Sequence, residues 1–190
     1  MKTREILKIA GLGLAAVLIA SFALLGLVVF DVISYTATDS QKLNPTVTAV
    51  GKALVVYDPG ISGQAKDAAE TIAKDLQKKG YITDLAGINS EEAKNISEYN
   101  FIVVGGPIYA GKASASVKSY LNNLNPPDNA KVAVFATGQD ADILNSPEML
   151  KKEVIPLSND NSFQIVAVTK FIENEDFNKK SAEFVDSILK

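Results

Sequence analysis

The chain opens on one long apolar stretch and then changes character. Residues 9–30 carry no charged side chain, with Lys2, Arg4 and Lys8 before them and Asp31 after them. A helix rises about 1.5 Å per residue, so about 20 residues cross a bilayer core about 30 Å thick. The pattern predicts a single transmembrane helix over residues 9–30, behind a basic tail at residues 1–8. A cleaved signal peptide is the alternative. Its apolar region usually runs only about 7–15 residues and ends in a small-residue cleavage site. Here Ala37, with Tyr35 two residues before it, makes a poor site. The cations on the N-terminal side place that end in the cytoplasm and the rest of the chain outside. Residues 31–51 are polar and irregular and read as a linker, with a weak alternation at 46–50 that suits an extra edge strand.

From residue 52 to residue 190 two patterns alternate. Apolar runs of strand type occur at 53–57, 81–85, 101–104, 131–136 and 163–168. Between them lie segments of helical period. Residues 64–79 put Ala68, Ala69, Ile72, Ala73 and Leu76 on one stripe, and Gly80 follows as a C-terminal stop. Helices are expected over 114–124, 147–154 and 176–189. Ser90 followed by Glu91 and Glu92 marks another acid-led start, running toward Tyr99. Continuous apolar strands separated by amphipathic helices predict an α/β domain with a parallel sheet covered on both faces. In such sheets ligands bind beyond the carboxyl ends of the strands, which directs attention to the loops after Tyr57, Val104 and Ala136.

Composition narrows the chemistry. The 190 residues include no Cys, His or Trp. Disulfides, thiolate metal sites, cysteine nucleophiles and Ser-His-Asp triads are therefore excluded. Redox chemistry would need a bound organic cofactor. The net charge of −3 argues against a nucleic-acid surface. The mean hydropathy of +0.10 owes most to residues 9–30, and the remainder is mildly acidic. Paired carboxylates such as Glu91-Glu92 and Glu175-Asp176 sit at expected helix starts, where acids are ordinary, so no catalytic or metal role is assigned to them.

The loops carry the functional signal. The first, Asp58-Pro-Gly-Ile-Ser-Gly-Gln-Ala65, joins strand to helix. Its glycines, the Ser62 hydroxyl and the helix N-terminus can hold a phosphate without a cation. It is neither a P-loop nor a Gly-x-Gly-x-x-Gly fingerprint. The second loop lies in Phe-Ile-Val-Val-Gly-Gly-Pro-Ile-Tyr-Ala-Gly-Lys, beginning at Phe101. This run resembles the third strand and flavin loop of flavodoxin-like proteins, and Ser62-Gly63-Gln64-Ala65 is similar to their phosphate loop. The resemblance spans residues 52–190.

It implies a doubly wound five-stranded parallel sheet of order 2-1-3-4-5 and the cofactor flavin mononucleotide (FMN). By position, Ser62, Gly63, Gln64 and Ala65 would surround the phosphate. Pro107, Ile108, Tyr109 and Ala110 would line the ring, with Tyr109 the stacking candidate. Thr137 and Gly138 would meet its pyrimidine side. Two departures stand out: Ala65 replaces a Thr hydroxyl, and no aromatic lies between Ala136 and Leu150 to cover the second ring face. The acids Asp58, Asp140 and Asp142 imply a low second-electron potential, because like charges disfavour an anionic reduced ring.

Three functions stay open at this point. The first is a membrane-anchored FMN electron carrier, with lipid around its helix and a redox protein or quinone as partner. The second is a flavin-dependent NAD(P)H or quinone reductase. The third is a binding module that keeps the fold without the flavin.

Overall fold

The structure is a computed structural model that describes residues 3–33, 37–139, 147–154 and 163–190. The first element, α1 (Thr3–Ile33), contains an 18-residue window, Ala10–Leu27, of mean hydropathy 2.3 with none of it buried. One helix is thus long and apolar enough to cross a membrane. Both a retained span and a signal sequence have that length and composition.

The strand-type runs all become strands. β2 (Gly51–Tyr57), β3 (Tyr81–Gly87), β4 (Phe101–Tyr109), β6 (Lys131–Gly138) and β7 (Ile165–Ile172) are parallel, in the order β3-β2-β4-β6-β7. Counted among themselves these five strands have the expected order 2-1-3-4-5. The period-2 alternation of each strand feeds two cores. Val55, Tyr57, Val103 and Phe135 face one side, where α2 (Gln64–Lys78) and α5 (Phe177–Leu189) cover them with Ile72, Leu76, Phe184 and Ile188. Leu54, Val56, Ile102, Val104 and Val134 face the other, under Val117 and Leu121 of α3 (Ala115–Asn123) and Leu150 of α4 (Pro147–Val154). The caps follow side-chain chemistry. The Ser114 hydroxyl accepts from the Val117 N–H, and Asp176 accepts from the N–H groups of Asn178 and Lys179.

Three expectations need correction. The extra edge strand is not at 46–50 but at β1 (Ser40–Leu43), which runs antiparallel to β3 with Ser40 opposite Ala86. Part of the expected 31–51 linker therefore belongs to the sheet. Only Leu43 of the four is buried, so an outer strand with one face of its backbone in solvent left almost no hydrophobic pattern to read. Val47 and Val50 instead lie beside Gly80, whose carbonyl accepts from the Val50 N–H at 2.9 Å.

The expected helix over 90–99 is a set of turns. Ser90 does cap, accepting from the Ala93 N–H at 3.2 Å. The bonds that follow, Lys94 to Glu91 and Asn95 to Glu92, span three residues rather than four and do not propagate. The Tyr99 hydroxyl donates to buried Asp84 at 2.9 Å and pins the far end. Finally, strands β4, β6 and β7 run further than expected. They carry Pro107–Tyr109, Thr137–Gly138 and Lys170 out of loops and into the sheet.

Candidate functional site

The last residues of β2, β4 and β6 end side by side, with Tyr57 opposite Gly105 and Pro107 opposite Thr137. Beyond them lies a cleft of about 530 Å³, a size typical of small-molecule sites. Each loop singled out above contributes. Ile61, Ser62 and Gln64 come from the first, Pro107, Ile108, Tyr109, Ala110 and Gly111 from the second, and Thr137, Gly138 and Gln139 from the third. Eight of the ten sequence-derived candidates therefore line one cavity.

Gly63 and Ala65 do not line it. Gly63 sits at the N-terminus of α2 with φ +76°, and a Cβ built there would meet no atom within 4 Å. It leaves open backbone where a Cβ would otherwise stand. The Ala65 side chain is fully buried in the core beneath α2, so Ala65 can offer a ligand only its backbone. No side chain caps α2, while the Ser62 hydroxyl accepts from the Gln64 N–H at 3.4 Å. The Lys66 and Asp67 N–H groups turn to the Gly63 carbonyl, and the helix start favours an anion through its dipole.

The second loop is a tight hairpin. β4 turns back into β5 (Lys112–Ala113) through Ala110 and Gly111, at φ +48° and +76°. Two successive positive φ values match a two-residue primed turn. Ala110 holds a backbone that costs an L-residue about 1–2 kcal/mol. The hairpin is fastened from behind, where Glu153 accepts from the Ala113 N–H at 3.2 Å and from the Lys118 ammonium at 2.8 Å. Tyr109 reaches across to the first loop and accepts from the Ile61 N–H at 3.0 Å. Gly60 makes that approach possible. At φ +64°, a Cβ would lie 2.9 Å from Pro107 Cγ and 3.1 Å from the Tyr109 oxygen.

Two charged groups alter the electrostatics read from sequence. Asp58 is buried and turned inward, accepting from the Gly60 N–H at 3.2 Å and from the Ser116 hydroxyl. It therefore braces the loop rather than facing a phosphate across it. Asp140 and Asp142 lie outside the described residues. Lys170, unforeseen in the sequence, is only 7% exposed and lines the cleft beside Gly138, where a built Cβ would lie 3.3 Å from its Cε. Among the described lining residues it alone is charged. Its position in Val-Thr-Lys-Phe-Ile was the available signal: extending the strand past Val168 places residue 170 at the sheet's carboxyl end.

Lys66, on the first turn of α2, donates to Asp39 at 3.0 Å, and the Tyr57 hydroxyl donates to the same carboxylate at 2.8 Å. The Lys66 bond holds the Asp39 carboxyl below its ordinary range. Burial, then the Asp39 carboxylate, pushes the Tyr57 phenol up to about 12.

The comparisons with known proteins agree with this geometry. A flavodoxin domain model matches residues 55–168. The chain belongs to the flavodoxin domain family. Solved structures carry the same fold at low identity. Oxidised flavodoxin 2 from Bacillus cereus superposes with a TM-score of 0.50 at 20% identity, covering 73% of this chain and 97% of that one. A Streptococcus pneumonia flavodoxin gives 0.50 at 14%, covering 73% and 97%. A flavodiiron core from Synechocystis gives 0.54 at 18%, covering 76% of this chain but only 36% of its own length. No curated protein matches the chain in sequence. Membership of the family supports flavin binding and electron transfer for this flavodoxin-like domain.

Proposed function

We propose that the protein is an FMN-binding electron carrier held at a membrane by α1, with its N-terminus cytoplasmic and its domain outside. The observation that carries this reading is the cleft at the carboxyl ends of β2, β4 and β6, in which the three loops converge. The open backbone at Gly63 and the uncapped start of α2 suit the phosphate, and Ser62 and Gln64 stand at that end. Pro107, Ile108 and Tyr109 offer an apolar wall for the ring, while Thr137 and Gly138 offer backbone to its polar edge. FMN, once bound, supplies the uptake and release of one or two electrons. The chain's own residues orient the ring, exclude water from one face and set the local field.

Lys170 sets that field against the acidic bias of the domain. A cation near the polar edge favours the reduced, anionic ring, so it raises the potential that acids alone would lower. Lys170→Gln is expected to lower the two-electron potential by about 30 mV, the equivalent of a tenfold loss in preference for reduced FMN. A spectroelectrochemical titration measures it, and an unchanged or higher potential would remove Lys170 from the ring's surroundings.

A carrier and a nicotinamide-dependent reductase differ in one experiment. The FMN-loaded protein is expected to be reduced reversibly by photoreduction and to consume NADH or NADPH no faster than free FMN does. Rapid nicotinamide oxidation by the purified protein would replace the carrier with a reductase.

A further inference from the structure

We propose that the attachment of α1 turns the mouth of the cleft toward the bilayer, where the flavin exchanges electrons with a lipid-soluble quinone. The inference rests on reading α1 as a retained anchor and the cleft as an FMN site.

The route of the chain into the domain carries the first step. β1 runs antiparallel to β3, so the segment ahead of it meets the sheet at the carboxyl end of β3. There the Asp39 carbonyl accepts from the Gly87 N–H at 2.7 Å and the Ala37 carbonyl from the Asn89 N–H at 2.9 Å. Asp39 is further held by Tyr57 and Lys66. A Cβ at Gly87 would lie 2.5 Å from the Ala37 carbonyl carbon, which shows how closely the two backbones pack. Gly87 pairs with Tyr57, the last residue of β2, at the end of the sheet where the cleft opens.

Reach carries the second step. α1 ends at Ile33 and the fixed segment begins at Ala37. Those four residue steps span at most about 14 Å even when fully extended. A seven-residue strand such as β2 is roughly 23 Å long. A bilayer that holds α1 is therefore closer to the cleft end of the sheet than to the other end.

The character of the mouth indicates the partner. Among the described lining residues only Lys170 is charged, and it is buried. Ile61 stands 53% exposed at the rim. Docking of a redox protein by electrostatic steering needs complementary surface charge, and the described lining residues present none at the surface. The third loop contributes no aromatic to cover the second ring face, since residues 137–149 contain none. A flat, neutral ring from the membrane suits such an opening. The exchange balances: the quinone takes two electrons and one proton from the anionic reduced ring and a second proton from water to become the quinol.

The full chain in phosphatidylcholine vesicles tests this in two arms. The native sequence has no Cys, so single labels can be placed at Lys112→Cys, on the exposed cleft-end hairpin, and at Asp128→Cys, exposed ahead of β6 at the opposite end. Energy transfer to a headgroup-labelled lipid is expected to be at least twofold stronger from position 112 than from position 128. Equal or reversed transfer overturns the orientation.

In the second arm, photoreduced FMN-loaded protein is mixed anaerobically with vesicles containing ubiquinone-10. Reoxidation is expected to be at least threefold faster than in a variant with about 20 Gly and Ser residues inserted between Tyr35 and Thr36. Such a linker has a mean reach of about 25 Å and frees the domain to turn. No reoxidation, or a rate indifferent to the insertion, overturns the quinone assignment. Failure of the chain to float with vesicles, or to quench FMN fluorescence, overturns the underlying reading and the inference with it. Flotation and quenching are read separately, so the source of failure is identified.

Discussion

Replacing Tyr109 by alanine is expected to weaken FMN binding about thirtyfold. The ring stands at the end of β4 and reaches over the first loop, so it meets whatever occupies the cleft. Burying a side chain of this kind contributes about 1.5–3 kcal/mol, and stacked aromatic geometry adds about 0.5–1.5 kcal/mol. Part of that is lost because the Tyr109 oxygen must first hold or release the Ile61 N–H. A net loss of about 2 kcal/mol corresponds to about thirtyfold. Tyr109→Phe separates the two contributions, since it keeps the ring and removes only the hydroxyl. Its expected effect is about threefold. Fluorescence titration of both variants gives the comparison. Equal weakening by Phe and Ala would mean that Tyr109 acts through the hydroxyl alone and that the flavin ring lies elsewhere.

The second large effect concerns the sheet beneath the site. Gly105→Ala is expected to cost about 3 kcal/mol of folding stability. A Cβ at that position would lie 2.3–2.4 Å from three atoms of the Phe135 ring. Phe135 cannot step aside easily. It is 1% exposed and packs edge-on against Phe171 at 6.2 Å, and Phe171 packs in turn on Phe177 at 5.0 Å. Overpacking of a dense core typically costs about 1–3 kcal/mol, and a blocked relaxation puts this site at the upper end. Gly105 also precedes Pro107 by two residues, so any shift of β4 displaces the wall of the cleft and lowers FMN affinity as well. Combining Gly105→Ala with Phe135→Leu removes the colliding ring edge and is expected to recover part of the loss, as coupled neighbours do. Urea unfolding of the two variants checks this. A neutral single substitution, or strict additivity in the pair, would contradict the close contact.

Burial leaves a legible pattern in the sequence. The central parallel strands β2, β4 and β6 are buried on both faces, so runs such as 53–57 and 131–136 stand out, and the strand order follows from the family resemblance. The stripe of Ala68, Ala69, Ile72 and Leu76 marks α2 for the same reason. Ser40–Leu43 was missed because it is an edge strand stabilised by backbone bonds to β3, with one buried side chain in four. Residues 90–99 carry a good helix start but no continuation, because Tyr99 is tied to Asp84 and the turns close at three residues. A start signal reports a cap and says little about length.

At the site, the chemistry of individual residues was legible but their geometry was not. Asp58, read from the sequence as an acid beside the ring, proves to be buried and bonded to Gly60 and Ser116. Ala65 looked like a missing hydroxyl and proves to be a core residue of α2. Lys170 escaped notice because its strand looked finished at Val168, and only the parallel register of β7 with β6 brings it beside Gly138.

The central claim is that this cleft binds FMN, and a direct titration of the purified full chain with FMN tests it. Saturable quenching of flavin fluorescence at one FMN per chain is the expected result, with affinity lost on adding a side chain at Gly60, where φ is +64° and Pro107 and Tyr109 crowd the missing Cβ. A colourless protein that leaves FMN fluorescence unchanged at every concentration would contradict the account.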